Sequence, residues 1–234
     1  MNTLFISDIH LSPDLPAISQ AFFHCLESLD IDTDALYILG DLFDIWVGDD
    51  NSSPFAQSIQ IAIKQVVARG IPVYVMRGNR DFLIGKRFCE LTGCTLLSDP
   101  CVIDLYGTPT LLTHGDQLCT DDKRYQYYRR VVSNNWVQKF FLRLSLRFRQ
   151  HVAEKLRRQS QQYTQQADVK IMDVNPHAVQ HWMQKHKVKQ LIHGHTHRPA
   201  QHKELEGTRW VLGAWHTGGN GLRCTPQGIE FFSF

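Results

Sequence analysis

A 234-residue chain with 43% hydrophobic and 21% charged residues carries enough apolar material for a substantial core, and shows none of the bias of a disordered or fibrous protein. Its six cysteines lack CxxC spacing and the density of a disulfide-stapled secreted domain, so reduced, buried thiols are expected. The net charge of +2 conceals an asymmetry: Lys123–Arg158 holds eleven Lys or Arg against the single acid Glu154, or +10, leaving 14 basic and 22 acidic residues, or −8, elsewhere.

The predicted elements alternate along the chain. Short β-rich runs at Thr3–Ser7, Ala35–Leu39, Pro72–Met76, Cys101–Leu105, Thr110–Thr113, Gln190–His193 and Trp210–Ala214 read as strands. Helical patterns lie between several of them. Ala17–Leu29 follows Pro16, Phe55–Arg69 ends against Gly70, and Ala178–His186 follows the cap pair Asn175-Pro176. Strands alternating with helices predict an α/β layered fold, with residues 1–234 as a single domain. From about Asp121 to Met172 the alternation stops, and the segment reads as a helical insertion on that scaffold. Within it Trp136, Phe140, Leu144 and Phe148 recur every four residues, with Lys139, Arg143 and Arg147 on an adjacent stripe. A helix apolar on one side and basic on the other suits an anionic membrane surface, and packing of the apolar stripe on the core is the competing reading. No apolar run is long enough to span a bilayer and no leader precedes the first strand, so cytoplasmic residence is expected.

Five short polar clusters sit where predicted strands stop: Asp8-Ile9-His10, Gly40-Asp41, Gly78-Asn79-Arg80-Asp81, His114-Gly115-Asp116 and Gly194-His195-Thr196-His197. They offer two carboxylates, one amide and four imidazoles, side chains that divalent metals accept. In Asp8-x-His10 and His195-x-His197 an extended backbone would aim both ligands to one side, with Gly40, Gly78 and Gly194 letting the chain bend. The seven divide between two ions: Asp8, His10 and His197 for one, Asn79, His114 and His195 for the other, with Asp41 bridging. A water held by such a pair becomes the nucleophile near neutral pH, and no Ser, Cys or Lys nucleophile is required. Asp81 and Asp116 are candidates for orienting the imidazoles, His193 for supporting the ligands, and Trp215-His216 for lining the mouth.

These clusters resemble the calcineurin-like metallophosphoesterase superfamily, whose pattern is D-x-H, G-D, G-N-[HR]-[DE], H and G-H-x-H. Longer strings resemble the UDP-2,3-diacylglucosamine diphosphatase family of lipid A biosynthesis. These are Phe5–Leu11, Tyr37–Phe43 with Trp46–Asp50, Gly78–Gly85, His114–Asp122, Ile171–Asn175, Leu191–Pro199 and Val211–His216. The resemblance implies an αββα sandwich of two mixed sheets with a helical cap, two Mn2+ ions, and cleavage of the diphosphate of UDP-2,3-diacylglucosamine to UMP and 2,3-diacylglucosamine 1-phosphate. It implies peripheral association with the cytoplasmic face of the inner membrane. It makes Asn79, Arg80 and His195 catalytic as well as substrate-binding, and places Asp122, Ser160 and Thr164 on the substrate. Two positions depart from the family: Thr164 stands where Asn is commoner and Ala167 where Lys is, a loss that Lys170 or Arg157 would compensate. Arg80 bears on the reaction independently. An arginine cannot protonate a poor alkoxide leaving group, but its planar fork holds a phosphate oxygen, which suits expulsion of phosphate from a phosphoanhydride. A nucleotide or nucleic-acid phosphodiesterase, with the +10 segment tracking a phosphate backbone, is the alternative; no nucleic-acid partner is expected.

Overall fold

The computed structural model describes residues 1–166, 171–216 and 218–233, apart from the side chains of 161 and 164–166. Its strands form two mixed sheets. In spatial order the first holds β11 (Gly228–Ser233), β10 (Asn220–Thr225), β1 (Thr3–Ile6), β2 (Ala35–Leu39), β3 (Val73–Met76) and β4 (Thr95–Leu97). Strands β1 to β4 are parallel; on the outside β10 pairs antiparallel with β1, and β11 antiparallel with β10. The second holds β5 (Cys101–Leu105), β6 (Thr108–Thr113), β7 (Gln190–His193), β9 (Gly207–Val211) and β8 (Ala200–Glu204), with β6, β7 and β9 parallel between antiparallel edges.

Three apolar clusters mark the interfaces between layers. Helices α1 (Pro16–Glu27), α2 (Pro54–Ala68) and α3 (Lys86–Thr92) bury Phe22, Ile59, Ile63 and Phe88 against Ile6, Leu36, Ile38, Val73 and Val75 of the first sheet. Phe5, Leu39 and Met76 face Leu112, Ile192 and Trp210 between the sheets. Helix α7 (Pro176–His186) sets Val179 and Met183 on Leu111 and Leu191 behind the second sheet. Neighbours in one strand, such as Phe5 and Ile6, thus serve different interfaces, as the two-residue period requires. This is the αββα sandwich. Strands buried on both faces read as continuous apolar runs, which is why the parallel ones were legible.

Elements lacking that signature escape sequence reading: α3, the three-residue β4, the polar edge strand β8 and the hairpin β10–β11. The predicted strand Trp210–Ala214 starts earlier, at Gly207, and ends at Val211.

The segment after Asp121 forms α4 (Lys123–Val132), α5 (Asn135–Leu142) and α6 (Leu146–Gln166). The stripe expected on one helix is therefore split by the break at 143–145, and Leu144 lies in that break. Its large apolar members do not pack on the core: Trp136 is 80% exposed, Phe140 67% and Phe148 52%. No described helix is long and apolar enough to cross a membrane.

Candidate metal centre

All seven predicted ligands follow strands that run parallel within their sheets, β1, β2 and β3 in one and β6 and β7 in the other, so each sheet delivers its ligands at one edge. The side chains meet in an unbroken series. His197 Nε2 lies 3.2 Å from Asp8 Oδ1 and 3.3 Å from His10 Nε2. Asp41 sits between two groups, with Oδ2 3.8 Å from His10 Nε2 and Oδ1 3.7 Å from His114 Nε2. Asn79 Oδ1 lies 3.0 Å from His114 Nε2 and 2.9 Å from His195 Nδ1.

The backbone achieves this differently from the expected extended arrangement. Asp8, His10, Asp41, His195 and His197 all have positive φ, between 51° and 67°. These are five of the seven described non-glycine residues in that region. Holding each there costs about 1–3 kcal/mol and needs surrounding structure to enforce it. Backbone bonds from Asp8 N to Gly40 O (3.1 Å), His10 N to Asp41 O (3.0 Å) and Gly194 N to His114 O (2.9 Å) do so. Of Gly40, Gly78 and Gly194, only Gly40 bends as anticipated, at φ +90. Gly78 and Gly194 are needed for clearance: a Cβ on the first would overlap Asp41, and on the second Asp8 and Ser7.

The donor set fits divalent cations. Asp8 Oδ1 is buried without a hydrogen bond, inside a cluster with His10 and His197 and a second with Asp41 and His114. His114 Nδ1 is 2.9 Å from Leu39 O and so keeps its proton, leaving Nε2 as the nitrogen free for a metal; once Nε2 is deprotonated it meets the Asn79 oxygen acceptor against acceptor, an opposition that a bound cation relieves. The titration behaviour carries the same tension. Burial pushes the Asp41 carboxyl up to about 7 and pushes His10 down to about 3. Burial opposes a charge on His114, yet Asp41, Asp8 and Asp116 outweigh it and raise that imidazole to about 9. Burial and the neighbouring His114 charge lower His195 to about 4. For Asp8, burial is overcome by the adjacent His197 and the other imidazoles, and its pKa falls well below the ordinary carboxylate value.

The supporting carboxylates work differently from expectation. Asp81 has no hydrogen bond to an imidazole among the described residues; it accepts from the backbone N–H groups of Leu42 (2.7 Å), Phe43 (3.3 Å) and Gly78 (2.7 Å), tying the β2 and β3 loops together. Asp116 accepts from Tyr125 Oη (2.7 Å) and Arg129 Nε (2.6 Å), anchoring α4 beside the site. His193 lies buried beneath the loop, with Nε2 accepting from Arg209 and Nδ1 2.8 Å from Gly194 O. His216 faces His197 at 5.9 Å between ring centroids. Three contributors were not anticipated: Ser7, whose hydroxyl donates to Asp8 Oδ2 at 2.5 Å, Tyr125, whose ring tilts against His195, and Leu39 through its carbonyl. The Asp122-x-x-Tyr125 spacing of a capped helix was the only sequence signal for any of them.

Beside the ligands lies a cavity of about 200 Å³ lined by Ile45, Trp46, Val47, Leu83, Phe141 and Leu156, with Asn79, Arg80, Arg157 and Ser160 also on its wall. Arg80 donates its backbone N–H to Asp41 Oδ1 (2.8 Å), and its guanidinium makes no ion pair among the described residues. Arg157 is occupied by Asp44, 2.7 Å away. Asp122 caps α4 through Tyr125 N (2.8 Å) and accepts from Tyr163 Oη (3.0 Å). The side chain of Thr164 lies outside the described residues, as do Ala167 and Lys170.

Known proteins agree with this geometry. The model of the calcineurin-like phosphoesterase family matches residues 1–199. Proteins named UDP-2,3-diacylglucosamine hydrolase from Serratia proteamaculans, Yersinia enterocolitica and Pectobacterium carotovorum are 49%, 50% and 51% identical over 238 residues, spanning 100% of this chain and 99% of theirs. An archaeal phosphodiesterase of solved structure shares the fold at 13% identity, with a TM-score of 0.51 and full coverage of both chains. A sandwich that gathers this ligand set at its parallel strand ends, matched by the family model and by relatives of half-identical sequence, makes the chain a member of the calcineurin-like phosphoesterase family.

Proposed function

We propose that this protein hydrolyses the diphosphate of UDP-2,3-diacylglucosamine to UMP and 2,3-diacylglucosamine 1-phosphate, a step of lipid A biosynthesis. The observation that carries the reading is the placement of Arg80, unpaired among the described residues, between the ligand cluster and an apolar cavity under α4–α6. A cation for phosphate beside an apolar wall suits a substrate with an anionic head and acyl chains. A nucleic acid could stack bases on the aromatic members of that wall, but it has no aliphatic chains for the part formed by Ile45, Val47, Leu83 and Leu156.

Two divalent ions, taken as Mn2+ because the family resemblance implies that metal, would be held by Asp8, His10 and His197 and by Asn79, His114 and His195, with Asp41 serving both sets. When bound they supply positive charge to phosphate oxygens and make water nucleophilic near neutral pH. The chain's own groups do the rest. Arg80 holds the leaving phosphate by a charge-assisted fork and gives up no proton. Asn79 and His195, joined at 2.9 Å, fix one side of the reacting phosphate, and Tyr125 shields His195 from solvent. Ser160, on the cavity wall, would face the sugar, and Asp122 would act through the α4 cap and Tyr163 that it holds.

The exposed Trp136 and Phe140, with Lys139 over the Trp136 ring at 5.6 Å, support docking of α5 on the anionic cytoplasmic face of the inner membrane. Turnover in oxygen-18 water tests the chemistry. Mass spectrometry is expected to find UMP and the sugar phosphate, with the label on only one of them, and chelation is expected to stop UMP release until Mn2+ is restored. Cleavage of alkyl phosphodiesters in preference to the sugar nucleotide would refute the assignment.

A further inference from the structure

One arginine lies where a charge is least expected. Arg149, on the first turn of α6, is 1% exposed. Each nitrogen of its guanidinium is engaged. Nε donates to Leu144 O at 3.0 Å, Nη1 to Val47 O, and Nη2 to the Asp50 carboxylate. The first of these acceptors lies in the break between α5 and α6, where a carbonyl has no helical partner. The other two lie in the loop after Trp46, which forms one wall of the apolar cavity. Gly48, between them, has φ +138, and a Cβ there would run into Arg149 Nη1 and Leu142. The loop is further held from the core side, with Asp49 accepting from Trp46 Nε1 (3.1 Å), Gly85 N (3.0 Å) and Phe88 N (3.0 Å).

The cavity has its two walls on different parts of the chain: Trp46 and Val47 on the loop, Phe141 and Leu156 on α5 and α6. Arg149 joins those parts at the elbow next to Phe141. We propose that Arg149 is a positioning residue that clasps the α5–α6 elbow to the Trp46–Asp50 loop, so setting the spacing of the walls that receive the acyl chains. The proposal rests on the lipid-substrate reading above. Arginine suits the role because its planar fork offers one nitrogen to each of three separate acceptors; lysine also has three donors, but they radiate from a single nitrogen and do not reach acceptors set that far apart. Buried without those acceptors, the charge would be strongly unfavourable, so the elbow and loop are held together as a unit. Asp50 gains as well, its carboxyl held below the usual range by the bond from Arg149.

The test compares Arg149→Met with wild type on UDP-diacylglucosamines bearing myristoyl or butanoyl chains. Since the clasp acts on chain binding and not on the metal ligands, KM for the myristoyl substrate should rise about tenfold with kcat within about twofold. The butanoyl substrate should be unaffected in both parameters. Arg149→Lys should fall between. An unchanged myristoyl KM in a folded variant, or equal losses on both substrates, would overturn the proposal. Should Arg149→Met fail to fold, Asp50→Asn and Gly48→Ala weaken the same clasp from the other side and are held to the same criteria. If the wild-type protein releases UMP from neither substrate, the lipid reading itself has failed. Hydrogen exchange then still reads the clasp: Arg149→Met should speed exchange of the Arg143 and Leu144 amides, and unaltered exchange would sink it.

Discussion

Replacing Asp81 with alanine is the sharpest test of how the centre is held. The side chain is wholly buried, and its two oxygens serve three backbone N–H groups: Oδ1 accepts from Gly78, and Oδ2 from Leu42 and Phe43. Alanine leaves all three donors without that partner. At about 1–3 kcal/mol for each buried unsatisfied group, the gross loss is ~3–9 kcal/mol. Part is returned, because burial raises the Asp81 carboxyl above its ordinary pKa and removal relieves that desolvation. A net loss of about 2–5 kcal/mol follows, a large fraction of the ~5–15 kcal/mol that holds an ordinary domain. Urea denaturation monitored by tryptophan fluorescence measures it as a shift in midpoint. With m of about 1–3 kcal/mol/M or somewhat more for a chain of this size, the midpoint should fall by roughly 1–2 M. Asp81→Asn keeps one acceptor oxygen and presents an NH2 to the other N–H set, so it should lose about 1–3 kcal/mol. Both variants free the loops bearing Asp41 and Asn79 and should weaken metal binding. A stability change below about 1 kcal/mol with unaltered metal affinity would refute the view that Asp81 is the brace of the centre.

Other expectations follow from the same geometry. Arg80→Ala should lower kcat/KM about a hundredfold and Arg80→Lys about tenfold, since lysine keeps the charge and loses the fork; steady-state kinetics with equal metal loading checks this, and a fully active alanine variant would remove Arg80 from the reaction. His114 must lose a proton to bind metal, and its pKa in the metal-free protein is raised to about 9, so affinity should fall about tenfold per pH unit from pH 9 to 7. Below that, the Asp41 proton, held at about 7, steepens the loss. Calorimetry in two buffers of different ionisation enthalpy should count about one proton released at pH 8, and no release would contradict the assignment of His114. Paired Trp136→Ser and Phe140→Ser changes should weaken binding to phosphatidylglycerol vesicles about tenfold and leave Tm unchanged, since both rings are exposed. Equal vesicle binding would dismiss α5 as the docking element.

The ligand types were readable from the sequence because metal chemistry restricts them to a few residues, and strand ends are marked locally by apolar runs meeting Asp, Asn, His and Gly. The parallel strands were legible for a related reason: buried on both faces, they leave unbroken hydrophobic segments. Edge strand β8 leaves no such trace, having one polar face, and the split of the stripe at 143–145 follows from caps and from Arg149, which no helical periodicity encodes.

Residue identity and order along the chain thus determined which groups are offered for metal and phosphate, and where along the chain the buried parallel strands fall; which sheet each strand joins was decided by the tertiary structure. How those groups are aimed was decided only by the tertiary structure. The left-handed turns at Asp8, His10, Asp41, His195 and His197 are strained conformations, stable only because bonds between loops distant in sequence enforce them. Asp81 reaches Leu42 across 39 positions and Arg149 reaches Val47 across 102. A local pattern carries no record of such meetings, since they exist only once the sheets have brought their ends together.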